Sequence, residues 1–260
     1  MSATPARGLY SLERQQAALA LLAERGRLDA AELAAHLGVT TETVRRDLIA
    51  LEREGRLRRV HGGAVPLHGL DFEPAVAART GAAEEKERIA RAALAHLPRG
   101  GSVLLDAGST VQRLAELLPA DAELRVFTGA LPVATVLLAR PGTEVHLLGG
   151  RVRRTTLTSV DEWAVRALQE LNVDVAFLGT NGISAARGCT TPDPAEAAVK
   201  RAMLGAARRR VLLADSGKVG AVSSHQHAAL ADIDLLVTDT GLAGEALDDV
   251  RATGLALERV

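Results

Sequence analysis

The chain has very few cysteines and aromatic residues, and these shortages exclude several classes of protein. Its 260 residues include one cysteine, Cys189, so no disulfide can form within the chain and a reducing compartment fits. Aromatic side chains make up 2% of the residues, which argues against an RNA-stacking surface and an aromatic platform for sugars. The formal net charge is −1, so any contact with nucleic acid must be confined to a local basic patch.

Long hydrophobic segments are also missing. The apolar run at residues 130–139 is too short to span a bilayer, and Arg7 and Glu13 interrupt any N-terminal signal region. The histidines follow no metal-ligand spacing, since His225 and His227 are separated by one residue and the others are scattered. We therefore expect a cytoplasmic protein that needs no metal ion or cofactor and does not enter membranes.

Residues 28–47 have the pattern of two short helices joined by a tight turn. Asp29 and Thr40 stand at N-cap positions, and Gly38 allows the positive φ that ends the first helix. In the second helix, apolar residues starting at Val44 recur at the spacing of a single helix face. The sequence therefore predicts a helix-turn-helix unit whose second helix buries its apolar face.

The outward face of this second helix is rich in groups that bind DNA. Arginine can hydrogen-bond a guanine edge with two donors, while hydroxyl groups and N–H groups at a helix start hold phosphates. Residues 56–63 then alternate like a short hairpin, a wing, and from residue 45 to 63 six arginines against three acids give a net charge of +3. The expected DNA contacts are Thr40, Thr41, Thr43, Arg45, Arg46, Arg58, Arg59 and His61.

The alternative to a DNA-binding domain is an ordinary three-helix packing unit with a solvated basic face. Helix-turn-helix geometry also occurs in domains that bind no DNA. A longer sequence pattern favours DNA binding. Residues 33–48, 51–55 and 59–64 resemble the signature of DeoR-family bacterial transcriptional regulators. That resemblance implies a winged helix-turn-helix domain that represses genes of sugar metabolism.

The rest of the chain predicts a second, larger domain. Residues 65–82 contain proline and glycine without a clear period, and we interpret them as a linker between a winged domain at 1–64 and a domain at 83–260. In the larger domain, short apolar runs alternate with helices, which predicts a mainly parallel α/β sheet covered on both faces. The predicted strands lie at residues 102–106, 124–128, 144–148, 173–178, 210–214 and 235–238.

Five of these runs end in a small polar or glycine-rich cluster. Ligands of parallel sheets bind at the carboxyl ends of the strands, where glycine, hydroxyl groups and a helix N-terminus can hold a phosphate. One such cluster alone is more often a tight turn with an N-cap, but five at successive strand ends favour a site for a phosphorylated polyol. The residues expected to bind it are Asp106, Gly108, Ser109, Thr110, Thr128, Gly149, Gly150, Arg151, Asn181, Asp215 and Lys218.

The larger domain also resembles the sensor domain of DeoR-family repressors, through residues 106–110, 148–150, 174–182, 196–203 and 213–218. The resemblance implies a fold similar to ribose-5-phosphate isomerase, with a phosphorylated sugar as effector. Segments 155–164 and 190–196 look most like regulators of fructose uptake, which points to a fructose phosphate. Operator symmetry demands at least a dimer, and the resemblance suggests homo-oligomers as large as tetramers or larger.

A sugar-phosphate isomerase with an appended DNA-binding domain is the alternative function. Such an enzyme needs a carboxylate base poised over the substrate carbon. At the strand end where related isomerases carry an acidic cluster, this chain has Asn181 and Gly182, and neither can abstract a proton. Other acids, such as Asp193 and Glu196, suit hydroxyl contacts and helix capping. We therefore expect a binding protein rather than an enzyme.

Overall fold

The computed structural model describes residues 10–25, 28–60, 62–65, 73, 75–79 and 82–260. It divides the chain into two compact units, one comprising residues 1–74 with 78–80 and the other residues 75–77 with 81–260. Each unit has its own hydrophobic core. Most of the predicted linker lies outside the described residues.

In its described part, the smaller unit has three helices and a three-stranded sheet. Its elements are α1 (Ser11–Arg25), β1 (Leu28–Asp29), α2 (Ala30–Leu37), α3 (Thr41–Arg53), β2 (Arg58–Val60) and β3 (Gly63–Val65). The strands are antiparallel in the order β1, β3, β2, so the wing formed by β2 and β3 pairs with the chain that enters α2. The predicted winged helix-turn-helix fold is confirmed.

Caps and burial in this unit follow the sequence pattern. The Asp29 carboxylate accepts hydrogen bonds from two first-turn N–H groups of α2, at 2.8 and 3.1 Å. Gly38 has a φ of 65° at the end of α2, and the Thr40 hydroxyl accepts a hydrogen bond from the N–H of Thr43 at the start of α3. The α3 side chains in the core include Val44, Leu48 and Leu51, as predicted.

Gly63 is required where the wing meets β1. A Cβ atom at this position would lie 1.8 Å from the carbonyl oxygen of Leu28, far inside van der Waals contact. Because the obstacle is backbone, a side chain could be accommodated only by separating β1 from β3. Glycine thus makes the close pairing of the wing possible.

The larger unit is an α/β domain built on a seven-stranded sheet. In chain order its elements are α4 (Ala83–Ala93), β4 (Gly101–Leu105), α5 (Ser109–Leu117), β5 (Leu124–Thr128), α6 (Leu131–Leu138), β6 (Thr143–Leu147), β7 (Arg151–Arg153), β8 (Thr158–Val160), α7 (Glu162–Gln169), β9 (Val173–Leu178), β10 (Gly182–Ser184), β11 (Gly188–Thr191), α8 (Pro194–Ala206), β12 (Ala207–Leu213), β13 (His225–Ala228), β14 (Leu235–Thr238), α9 (Gly244–Ala252) and β15 (Leu257–Arg259). Short 3₁₀ turns lie at Val76–Ala78, Leu94–His96, Ser216–Lys218 and Leu230–Asp232. The sheet order is β15, β14, β12, β9, β4, β5, β6, and every neighbouring pair is parallel.

Each face of this sheet packs against its own apolar core. In β4, Val103 and Leu105 belong to the core that includes Ile89 of α4. Leu104, between them, belongs to the opposite core, which includes Met203 of α8. Strands covered on both faces are apolar at most positions, which explains the nearly continuous apolar runs in the sequence. The predicted mainly parallel α/β fold is confirmed.

Three features of the larger unit were not predicted. The strands β10, β11 and β13 form a separate antiparallel sheet, β7 and β8 form a hairpin, and β15 adds a seventh strand to the main sheet. These strands have three or four residues each, too few to show a period in the sequence. Among the described helices, none combines the length and hydropathy that crossing a bilayer requires.

Candidate DNA interface and effector site

The helix α3 carries the arginines and threonines predicted to contact DNA. Arg45, Arg46 and Thr40 are exposed, and Thr41 and Thr43 are partly exposed. The Oγ1 atoms of Thr40 and Thr43 are 2.9 Å apart, so the two hydroxyls are held together at the helix start. This face combines hydroxyl groups at a helix N-terminus with arginines that have room to reach a base or a phosphate.

Two of the predicted DNA contacts have acidic neighbours. The Arg46 Nε is 3.4 Å from Glu42 Oε1, and because both side chains are mostly exposed the pair is weak and can open for DNA. On the wing, the Arg59 N–H donates to Glu52 Oε1 at 2.8 Å and its Nε lies 3.1 Å from Oε2. Arg59 therefore ties the wing to α3. Outside the described part of the structure lie the side chain of Arg58 and the whole of His61.

A second ion pair joins α3 to α1, and the sequence analysis missed it. Asp47 is 7% exposed and accepts hydrogen bonds from Arg14 Nε at 2.7 Å, Arg14 Nη2 at 3.1 Å and the Ser11 hydroxyl at 3.0 Å. The hydrogen bond to Asp47 raises the pKa of Arg14, against the effect of burial. Because Asp47 follows Arg46 directly, the pair fixes which face of α3 points outward.

The predicted effector contacts in the larger unit all follow parallel strands and so lie along one edge of the main sheet. The five polar clusters follow strands β12, β9, β4, β5 and β6, which are successive neighbours in the sheet. The positions with little exposure are Asp106, Thr110, Thr128 and Asp215, the partly exposed ones are Gly108, Ser109, Gly150, Asn181 and Lys218, and the exposed ones are Gly149 and Arg151. The fold thus places every predicted position at the edge where ligands of such sheets bind.

The loop between β4 and α5 has the form of an anion site. Gly108 has a φ of 125° and precedes Ser109, the first residue of the nine-residue helix α5. Because the N-cap residue is Gly108, no side chain at that position caps the helix. The first-turn N–H groups, together with the hydroxyls of Ser109 and Thr110, can therefore serve a phosphate.

Asp106 is already bound by a cation that the sequence analysis did not identify. The Lys200 ammonium of α8 donates to Asp106 Oδ2 and to the Gly179 carbonyl, the latter at 2.9 Å. The Gly179 N–H donates to the same Asp106 oxygen at 2.9 Å. Asp106 therefore joins α8 to the neighbouring strands β4 and β9, and only its other oxygen is left for a hydroxyl of a ligand.

A second buried ionic cluster lies at the start of α8. Arg153 of β7 reaches Asp193 Oδ2 from Nε at 2.9 Å and Glu196 Oε1 from Nη1 at 3.2 Å, and the Thr156 hydroxyl donates to the same Glu196 oxygen. Burial opposes ionisation of Asp193, but the N–H of Glu196 and the charge of Arg153 hold its pKa below the usual value. Glu196 is 4% exposed, so this ion pair and hydrogen bond are shielded from solvent.

Two of the predicted contacts, Thr128 and Arg151, differ most in exposure. Thr128 is fully buried, and its hydroxyl accepts a hydrogen bond from the Ala130 N–H at 3.1 Å. Arg151 is exposed, whereas Arg153 and Lys200 are the cations that enter the buried part of this edge. The sequence signal for Lys200 was a lysine among the mostly apolar side chains that α8 buries, which also include Glu196.

The polar cluster at residues 215–218, after β12, is hydrogen-bonded to an acid that the sequence analysis also missed. Asp239, at the end of β14, accepts hydrogen bonds from the Ser216 N–H at 2.6 Å and the Ser216 hydroxyl at 2.9 Å. Burial opposes ionisation of Asp239, but these hydrogen bonds lower its pKa below the usual value. These hydrogen bonds attach the start of the turn that carries Lys218 to the end of β14.

Known families match both units of the chain. A DeoR-like helix-turn-helix domain matches residues 14–68, and the DeoR C terminal sensor domain matches residues 82–240. The chain belongs to the DeoR family. Family members are transcriptional regulators with a DNA-binding and a sensor domain, and the two matches correspond in order to the two units described above.

Curated relatives cover nearly the whole chain. The HTH-type transcriptional regulator GlpR of Haloferax volcanii is 34% identical over 94% of this chain and 96% of its own length. The HTH-type transcriptional repressor GlcR of Bacillus subtilis is 34% identical over 89% of both chains. The solved sorbitol operon regulator SorC from Klebsiella pneumoniae aligns over 91% of this chain and 98% of its own, at 15% identity and with a TM-score of 0.42.

Proposed function

We propose that this DeoR-family regulator represses genes for the uptake or use of a sugar, and that a phosphorylated sugar, in the first instance a fructose phosphate, releases it from DNA. The observation that carries the proposal is the combination, in one chain, of the exposed arginine face of α3 with the polar edge that contains the uncapped start of α5. The name of the relative GlcR, a transcriptional repressor, supports the direction of control.

On the DNA side, α3 enters the major groove with Arg45 and Arg46 toward base edges and Thr41 and Thr43 near phosphates. The wing lies along the backbone. The protein acts in the cytoplasm as a homodimer or homotetramer, because two copies related by symmetry can read two half-sites of an operator.

On the effector side, the phosphate lies at the start of α5 on Ser109 and Thr110, with Lys218 as a further cation. The sugar hydroxyls contact the remaining oxygen of Asp106 and the side chains of Asn181 and Asp215. For control of DNA binding, the sugar phosphate must bind one arrangement of the protein better than the other. The choice of fructose rests on the resemblance of segments 155–164 and 190–196 to regulators of fructose uptake.

An isomerase activity at the same edge has less support. The buried carboxylates of Asp106 and Glu196 are paired with Lys200 and Arg153, and a base that abstracts a proton from carbon must be available to the substrate. The relatives GlpR and GlcR are named as regulators of transcription. Turnover of fructose 6-phosphate or ribose 5-phosphate by the purified protein would overturn the proposal of a binding protein.

The proposal is tested in two assays on the full-length protein. A thermal-shift series with fructose 1-phosphate, fructose 6-phosphate, ribose 5-phosphate and free fructose should show stabilisation by a phosphorylated sugar and none by free fructose. Selection from random duplex DNA should yield a symmetric operator. Arg46→Ala should then weaken operator binding by about 5- to 150-fold, while Arg99→Ala, an exposed arginine of the other unit, should not.

The two assays test separate halves of the proposal, and a negative result in each contradicts one half. If no symmetric sequence is selected, the DNA-binding role assigned to α3 is wrong. If none of the sugar phosphates stabilises the protein, the effector class is wrong. Lys218→Ala should abolish the thermal shift while preserving operator binding, and an unchanged shift would remove Lys218 from the site.

A further inference from the structure

The hairpin of residues 151–160, formed by β7 and β8, lies directly on the carboxyl edge of the main sheet. The Ser159 N–H donates to the Gly129 carbonyl at 2.8 Å, and the Leu131 N–H donates to the Leu157 carbonyl at 2.9 Å. Thr158 and Ser159 are buried against this edge. The hairpin therefore covers part of the proposed effector site.

The same hairpin is fastened to α8 by the ionic cluster around Arg153. This arginine bridges Asp193 and Glu196, and Thr156 adds a hydrogen bond to Glu196. One turn further along α8, Lys200 holds Asp106 at the end of β4. The helix thus connects the hairpin to the acid that faces the effector site.

The hairpin also holds the chain that arrives from the linker. The Val76 N–H donates to the Thr155 carbonyl at 2.8 Å, and Val76 is 9% exposed. Thr155 directly precedes Thr156, so a single turn of the hairpin contacts both α8 and the segment at residues 75–77. Residues 75–77 belong to the larger unit, and the chain on both sides of them belongs to the smaller unit.

Little space separates the hairpin from the edge of the sheet. A cavity lined by Thr158 and Ser159 of the hairpin, Asp106 of the edge, and Val199 and Met203 of α8 has room for about one water molecule. A sugar that reaches Asp106 from this side must push the hairpin away from the edge. Since interiors are close-packed, such a displacement moves the hairpin as a unit rather than one side chain.

We propose that Arg153 is a positioning residue that couples the effector site to the linker, by fixing the hairpin to α8 so that the hairpin can hold Val76. The proposal rests on the proposed function, because it gives these contacts a role in control of DNA binding. In this structure the hairpin lies against the edge of the sheet, and the Val76 N–H is hydrogen-bonded to the Thr155 carbonyl. A bound sugar phosphate lifts the hairpin, releases Val76 and thereby frees the chain that leads to the DNA-binding unit.

The test measures hydrogen exchange of the Val76 amide in the full-length protein without any ligand. Arg153→Ala removes the ion pairs with Asp193 and Glu196, so the Val76 amide should exchange at least about tenfold faster than in the unchanged protein. Arg154→Ala is the matched control, since this exposed neighbour lies in the same turn region, and the Val76 rate should stay within about twofold. The amides of β4 and β9 should keep their protection in both variants.

Retained protection in β4 and β9 separates a local release of the hairpin from general loss of structure. Arg153→Gln keeps most of the side chain without its charge and replaces Arg153→Ala in the test if that variant does not fold. In Arg153→Gln the exchange rate of the Val76 amide should rise by about threefold. A Val76 rate in the folded Arg153 variant equal to that of the unchanged protein would overturn the coupling. Because no sugar is used, this result is independent of whether the proposed effector is correct.

Discussion

Lys200 and Asp106 form a buried ion pair at the carboxyl end of β4, although the two residues are 94 positions apart in the chain. Their side chains are 7% and 6% exposed, and the Lys200 ammonium also donates to the Gly179 carbonyl. Removing one partner of such a pair leaves an uncompensated charge in the interior, which costs more than the pair contributes to stability. The pair therefore holds α8, β4 and β9 together beside the proposed effector site.

Replacing one partner of this pair should be strongly destabilising. Lys200→Met is expected to lower the free energy of unfolding by about 3–5 kcal/mol, because Asp106 and the Gly179 carbonyl lose their donor. In the double variant Lys200→Met/Asp106→Asn the loss should be clearly smaller than the sum of the single losses. Urea denaturation followed by circular dichroism measures all three. Lys218→Met, a partly exposed lysine, is the control, and additive losses would contradict the pairing.

The pair between Arg14 and Asp47 should matter for DNA binding although neither residue faces DNA. Asp47→Ala removes the carboxylate that accepts hydrogen bonds from Arg14 and Ser11, and it is expected to cost about 1–3 kcal/mol of stability in the smaller unit. Because α3 then loses its anchor on α1, operator affinity should also fall. Hydrogen exchange of the α3 amides and operator titration measure the two effects. Glu42→Gln breaks only the exposed pair with Arg46, and a loss of α3 protection as large as that of Asp47→Ala would contradict the argument.

His227 predicts a dependence of stability on pH. Burial, with the nearby charges of Lys200 and Arg201, lowers its pKa well below the usual value of 6.5. Well above pH 6.5 the residue is neutral in both the folded and the unfolded chain, so it makes no difference there. As the pH falls below 6.5, the unfolded chain takes up the proton first, and the free energy of unfolding falls by up to about 1.4 kcal/mol per pH unit.

The measurement compares urea denaturation between pH 7 and about pH 5 for the unchanged protein and His227→Gln. The variant cannot take up this proton, so its stability should fall less steeply over that range, whatever its stability at pH 7. His36→Gln is the control, because His36 is exposed on α2. Equal slopes for the unchanged protein and His227→Gln would mean that His227 is protonated in the folded state as readily as in the unfolded chain.

The sequence predicted what is specified within single elements. The caps at Asp29 and Thr40 and the turn at Gly38 depend on neighbours at most four positions away, and all three were predicted from the sequence. Likewise, the strands β5 and β9 were predicted residue for residue from their apolar runs. By contrast, Arg153 and Asp193 are 40 positions apart, and only the folded topology brings them together. The cations of the effector edge were therefore assigned to Arg151 and Lys218, while Arg153 and Lys200 were missed.

Cys189 should be chemically inert in the folded protein. Burial raises the pKa of its thiol to about 12, with Lys200 opposing and Asp232 adding to the shift. At pH 8 the reactive thiolate is then only about one part in ten thousand, and the side chain is out of reach of reagents. With a disulfide reagent that releases a coloured thiol when a cysteine attacks it, the protein in urea should release about one equivalent of coloured thiol per chain. The folded protein should release almost none over minutes. Ala186→Cys introduces an exposed thiol nearby in the chain and should react at once, which shows that the reagent is active. Rapid labelling of Cys189 in the folded protein would mean that the core between α8 and β11 opens far more often than its close packing implies.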